Sequence, residues 1–92
     1  MHTIWKYPLP RPDTFILELP KGAKFLSAQM QGENPQSWWL LDETLEKVPR
    51  KFVVLGTGHE VPEHEKLTFL TTFQVHGGAF IFHLFEYEAP VG

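Results

Sequence analysis

Along the chain, apolar and polar side chains alternate with a period of two, and helical spacing is almost absent. Thr14 to Leu19 sets Phe15, Leu17 and Leu19 on one face. Phe25 to Gln31 sets Leu26, Ala28 and Met30 against Ser27, Gln29 and Gln31. Lys66 to Val75 groups Leu67, Phe69, Thr71, Phe73 and Val75 opposite Thr68, Thr72 and Gln74. Successive side chains of a strand point to opposite sides, so each segment is predicted to be a strand with one face on a core. The pattern predicts seven strands in all: Thr3–Tyr7, Thr14–Leu19, Lys24–Gln31, Gln36–Leu41, Lys51–Gly56, Leu67–Val75 and Ala79–Glu88.

Turn chemistry separates these runs. Pro8 to Asp13 holds three prolines in five residues, which neither a helix interior nor a central strand accepts. Pro20-Lys21-Gly22 and Gln31 to Pro35 read as short turns joining antiparallel neighbours, and His76-Gly77-Gly78 supplies the positive φ of a tight hairpin. Only Asp42–Val48 and His59–Lys66 leave room for a short helix, the second as a single turn begun near Pro62. Trp38–Leu41, Phe52–Leu55 and Phe80–Phe85 are apolar on both faces, as expected of strands covered from both sides or facing another subunit. The predicted fold is mostly β: antiparallel strands in a compact sandwich or barrel-like sheet, with at most one or two short helices. A residual apolar face is expected to drive homo-oligomerisation.

A length of 92 residues makes this a single domain spanning 1–92. The absence of cysteine excludes disulfides, thiolate metal sites and a cysteine nucleophile. No apolar run approaches the roughly 18 residues of a membrane helix, and Met1 to Lys6 has no pattern of a secretory leader, so a cytoplasmic protein without membrane contact is expected. The formal charge is −3, and the basic residues are scattered, which argues against nucleic acid as the principal partner.

Several segments together resemble a known pattern: Lys6-Tyr7-Pro8-Leu9, Leu19 to Lys24, Gln29-Met30-Gln31, Trp39 to Asp42, Phe52 to His59, Thr72 to Gly78 and Phe82 to Glu86. Gly56-Thr57-Gly58-His59 and the following Thr72-Phe73-Gln74 are the most specific of them. The chain resembles a family of small, uncharacterised proteins encoded largely by bacteriophages. The resemblance implies a phage accessory protein in the bacterial cytoplasm and implies no reaction. Small phage proteins of this kind include many that block host defences, by docking on a defence complex or by sequestering its nucleotide signal.

The residues offer two matching sites. Acids cluster in Asp42-Glu43-Thr44-Leu45-Glu46 and in Glu60 to Glu65, and Trp38 and Trp39 must point to opposite faces of a strand. A partner-binding surface is therefore expected from Trp38 or Trp39 with Asp42, Glu43, Glu46, Glu60 and Glu63, the indole anchoring a bacterial host protein and the acids steering it. The alternative is a sponge enclosing a cyclic or ADP-ribose-derived nucleotide at a subunit interface. Its lining would be Arg50, Lys51, Thr57, Gly58, His59 and His76, with the Gly-Thr-Gly turn as an anion nest. No cofactor or metal is expected: His76 and His83 would lie roughly 12 Å apart along a hairpin, too far to share an ion. His83 is expected to hydrogen-bond backbone or a carboxylate such as Glu86. Ser27 and Ser37 lie in no nucleophile-elbow context and Glu86 and Glu88 fit an exposed edge, so no catalytic residue and no enzyme is expected.

Overall fold

The structure, a computed structural model, describes residues 1–10 and 14–88. The Arg11-Pro12-Asp13 part of the proline-rich turn lies outside the described residues. Seven strands follow one another: β1 (Thr3–Pro8), β2 (Thr14–Pro20), β3 (Lys24–Gln31), β4 (Asn34–Leu41), β5 (Lys47–Gly56), β6 (Leu67–Val75) and β7 (Phe80–Tyr87). They form two antiparallel sheets, one ordered β1-β4-β3 and the other β2-β5-β7-β6. The sheets pack face to face as a sandwich. At the centre Trp39 of β4 meets Phe52 of β5 edge-on, centroids 5.7 Å apart, and both are fully buried.

This topology explains the three runs without alternation. They are the central strands β4, β5 and β7, flanked on both edges by other strands. On its outer side a central strand has side chains of a neighbouring strand on either hand, and these cross-strand contacts partly cover apolar residues there. Phe52, Leu84 and Phe73 face the core, while Val53 is buried without joining the core cluster.

Two bulges reset the face of an edge strand. In β3 the register shifts between Phe25 and Ser27. Phe25 then reaches Trp39 (centroids 5.3 Å), and Leu26, expected in the core, is 44% exposed. In β6 the shift between Phe69 and Thr71 puts Leu70 against the core and Phe69 outside. An extra residue inverts alternation beyond it, which a strict period-two reading cannot anticipate.

Two further expectations are corrected. Pro20-Lys21-Gly22 joins no hairpin: β2 and β3 belong to different sheets, and the turn carries the chain between them. Gly22 takes φ 79° there, and the Ala23 N–H donates to the Pro20 carbonyl at 3.0 Å. Asp42–Val48 forms no helix. Residues 42–46 make another crossing between the sheets, and β5 begins at Lys47, earlier than expected, with Pro49 inside the strand. Pro49 is accommodated because β7 pairs with β5 only over Phe52–Gly56, leaving that side of β5 open at the proline. Within His59–Lys66 a single 3₁₀ turn forms at His64–Lys66. No helix in the described residues is long and apolar enough to cross a membrane.

Candidate functional site

Two of the crossings between sheets, the β2–β3 turn and the β4–β5 loop, meet at one corner. The Lys21 N–H donates to the Glu46 carbonyl at 2.8 Å, tying the β2–β3 turn to the β4–β5 loop. Within that loop the Asp42 carboxylate accepts from the Thr44 N–H at 3.0 Å and the Thr44 hydroxyl at 2.6 Å. These bonds hold its pKa down at about 2, with a smaller contribution from the N-terminal ammonium 3.4 Å away. An aspartate that accepts from the backbone two residues on holds the chain in a turn.

Beside this loop lies a cleft of about 300 Å³. Trp5 and Tyr7 of edge strand β1 form its aromatic wall, Pro20 and Leu41 its buried apolar floor, and Glu43 and Lys47 its charged rim, with Lys6 alongside. Strand geometry accounts for the wall. Trp5 pairs with Trp39, and Tyr7 with Ser37, so both rings project toward the core side of an edge strand, where the sandwich runs out. Trp5 remains 49% exposed, and its indole N–H donates to the Glu43 carboxylate. The Tyr7 hydroxyl is pushed above its ordinary pKa by burial first and the negative charge of Glu43 second. Lys6 alternates to the other side of β1 and donates from Nζ to Gln31 Oε1 at 2.6 Å.

The expected partner-binding residues separate. Asp42, Glu43 and Glu46 belong to this corner. Glu60 and Glu63 lie on the β5–β6 connection, with Glu63 3.4 Å from Lys66 at the end of the 3₁₀ turn that precedes β6. β6 is two strands across from β5, about 10 Å at the spacing of paired strands, so the two acidic segments do not merge. Trp39 is fully buried, edge-on to Phe25 and Phe52, its N–H donating to Ser37 Oγ at 2.9 Å. It belongs to the interior and not to a contact surface. Trp38 lies half-buried on the outer face of the three-stranded sheet, paired with Lys6 and Ser27.

The alternative ligand set is not gathered into one lining. Arg50 turns inward and is engaged by Glu86, while Lys51 lies on the outer face with its ammonium 4.5 Å from the Tyr87 ring centre. Thr57, Gly58 and His59 follow the far end of β5, about 20 Å from Arg50 at strand rise. The turn makes a poor nest because its donors are used: the Thr57 N–H goes to the Ile81 carbonyl and the His59 N–H to the Gly56 carbonyl. The His59 ring folds over Gly56, where a Cβ would stand 3.0 Å from it. His76, at φ 54°, opens the β6–β7 turn and packs edge-on against Phe80. His83 faces away from Glu86, on the outer side of β7. Thr57 Oγ1 and Thr72 Oγ1 each hydrogen-bond one ring nitrogen at 2.8 Å, and these hydroxyls take the place of the expected carboxylate. Among the described residues no three His, Asp or Glu side chains gather to hold a metal ion.

Sequence reasoning missed Trp5 and Tyr7 as surface chemistry. Thr3–Tyr7 was legible as a strand, but only the sheet order makes β1 an edge and leaves its inward rings uncovered. The available signal was a strand with aromatics at alternate positions followed directly by Pro8 and Pro10, a composition suited to an edge.

No curated protein and no solved structure matches the chain. Residues 1–91 match the family model described as Domain of unknown function (DUF7352), and the chain belongs to that family.

Proposed function

We propose that the chain is a phage accessory protein that works by binding, docking on a bacterial host-defence protein complex in the host cytoplasm. The contact surface is the corner formed by Trp5 and the Asp42–Glu46 loop. The observation that carries this reading is the Trp5–Glu43 pair: a half-exposed indole held in place by a carboxylate of an acidic loop. An aromatic anchor supplies affinity by burying its ring, and the surrounding acids speed encounter with a basic surface. The phage setting comes from the resemblance of the sequence, not from the corner.

The test is capture of a host protein from bacterial lysate, followed by binding kinetics with the captured partner. Trp5→Ala is expected to weaken binding at least tenfold through dissociation, at about 2 kcal/mol for a buried indole anchor. Glu43→Lys with Glu46→Lys is expected to slow association while the fold survives. A partner that binds all these variants like the parent chain defeats the reading.

A second surface supports self-association. Residues paired with Val53 and Phe85 share the outer side of the four-stranded sheet, which carries Ile16, Leu55, Phe69 and Ile81. Ile16 is 60% and Phe69 55% exposed. This face is the proposed homo-oligomer contact, and light scattering of the purified chain tests it.

A further inference from the structure

The free side of edge strand β2 carries a defined set of backbone donors and acceptors. The Lys21 N–H donates to the Glu46 carbonyl at 2.8 Å, one step beyond the Pro20–Lys47 pair of the β2–β5 register. Hydrogen-bonded pairs alternate along an antiparallel ladder. Leu19, Leu17 and Phe15 therefore turn their N–H and C=O groups to β5, while Thr14, Ile16, Glu18 and Pro20 turn theirs to the open side. Two prolines agree with this phase: Pro20, and Pro49 opposite Glu18, both fall where the ladder requires no donor. Thr14, Ile16 and Glu18 are all exposed, Ile16 at 60%. Among the described residues no strand pairs with this side of β2.

The other three edges carry devices that discourage strand addition. β3 and β6 are bulged. In β1 the Leu9 N–H donates to the Pro35 carbonyl at 3.0 Å, one step beyond the Pro8–Gln36 pair, so Lys6 and Pro8 turn outward. They set a charge and a missing donor on that edge. β2 has neither bulge nor lysine, and its register with β5 runs unbroken from Thr14 to Pro20.

We propose that two copies of the chain pair antiparallel along β2, about a twofold axis at Ile16, joining their four-stranded sheets into one. Ile16 then opposes itself and Thr14 opposes Glu18 of the partner subunit, so every free N–H from Thr14 to Glu18 meets a free C=O. A centre at Leu17 would set Pro20, which has no N–H, against Thr14, and a centre at Glu18 would oppose two carboxylates. The register about Ile16 leaves no donor idle and opposes no like charges, which makes a second copy the occupant. This contact lies at a strand edge, separate from the stacked outer face proposed above.

The chain has no cysteine, so single cysteines report the contact in the full chain under mild oxidation. Opposed Cα atoms of a hydrogen-bonded pair stand about 5.5 Å apart, within reach of a disulfide. The two copies of Glu18 would stand roughly 14 Å apart along the strands, beyond that reach. Ile16→Cys is expected to form a linked dimer at least about tenfold faster than Glu18→Cys. Adding Phe69→Lys, which disables the stacked face, should leave that linkage unchanged. Adding Glu18→Pro removes an outward N–H without touching the β5 ladder, and should abolish the linkage while the melting profile survives. If Glu18→Pro does not fold, the two cysteine positions still decide. Equal linkage at both positions, no linkage at either, or linkage that persists in folded Glu18→Pro overturns the proposal. Loss of the linkage with Phe69→Lys alone assigns the contact to the stacked face and overturns the edge.

Discussion

Arg50 holds both oxygens of Glu86, Nε to Oε2 at 2.6 Å and Nη2 to Oε1 at 2.7 Å. Its remaining terminal nitrogen donates to the Ala23 carbonyl at 2.5 Å, and the guanidinium carbon lies 5.0 Å from the centre of the Trp39 ring. One side chain thereby joins β5, β7, the β2–β3 crossing and the opposite sheet. The side chains are 22% and 19% exposed, between the surface pairs that contribute little and the buried pairs whose rupture costs about 3–5 kcal/mol. Arg50→Met is expected to cost about 2–3 kcal/mol in urea unfolding, since it strands a carboxylate and a carbonyl in a half-dry site. Combining it with Glu86→Met should cost less than the sum of the single changes. Additive costs would mean that the pair is coupled too weakly to clamp the sheets.

Ser37, fully buried, accepts from the Trp39 N–H and donates to the Tyr7 carbonyl, both at 2.9 Å. It satisfies the indole in the core and pins edge strand β1 to β4. Ser37→Ala is therefore predicted to cost about 1–3 kcal/mol, because it leaves a buried donor and a carbonyl without partners. The loss should appear locally as faster hydrogen exchange in β1. A stability change within about 0.5 kcal/mol, the usual range of a surface substitution, would refute the role given to this hydroxyl.

The corner loop carries its own pH signature. Asp42 is held at about 2 in the folded chain by its two bonds from Thr44, below the ordinary aspartate value near 3.9. A depressed folded pKa contributes stability that is complete above the unfolded value and lost as pH falls toward the folded one. The turn should stay ordered at pH 5 and loosen between about pH 4 and pH 2. Thr44→Val removes the hydroxyl bond and should raise the Asp42 pKa, measured from the carboxyl carbon shift in an NMR titration. An unchanged midpoint would remove Thr44 as the cause.

Much of this fold is legible in side-chain order. The seven strands, and the three runs that are apolar on both faces, follow from where alternation holds and where it fails. What is not legible is where alternation slips. The bulges at Phe25–Ser27 and Phe69–Thr71 depend on pairing with partner strands, and no local residue marks them. The sheet-crossing role of Pro20–Gly22 also stayed hidden, since a glycine turn looks the same whether it closes a hairpin or rounds a corner. Of the site, the acids of the Asp42–Glu46 loop could be named from sequence. Trp5 could not, because its exposure is a property of sheet order and not of its neighbours in the chain.

The β3 bulge makes a prediction opposite to the one that alternation makes. Plain alternation puts Leu26 in the core and Phe25 in solvent, whereas the bulge puts Phe25 on Trp39 and leaves Leu26 44% exposed. Leu26→Lys should shift stability by no more than about 0.5 kcal/mol, while Phe25→Ala should cost about 3 kcal/mol as a truncation beside a buried indole. Thermal unfolding of the two variants decides it, and the reverse ranking would mean that β3 pairs without the bulge.

The outer face of the four-stranded sheet gives the last test. Phe69 and Phe85 meet edge-on at 5.5 Å, and Ile16 and Val53 lie across the same side. Val53 is buried though its side chain points away from the core, so this face packs against itself before any partner arrives. Around it stand Lys51, Thr72, Gln74 and His83, with Glu18 two residues beyond Ile16 on edge strand β2. A second copy can cover the apolar part of this face while Glu18 stays at its rim, in water. The chain is expected to run above monomer mass in light scattering on the order of 100 µM, a concentration that fills even weak dimers. Phe69→Lys with Ile16→Lys should return it to monomer with its melting profile otherwise intact, because neither residue touches the core cluster. A parent chain that stays monomeric at that concentration leaves this face without its proposed role.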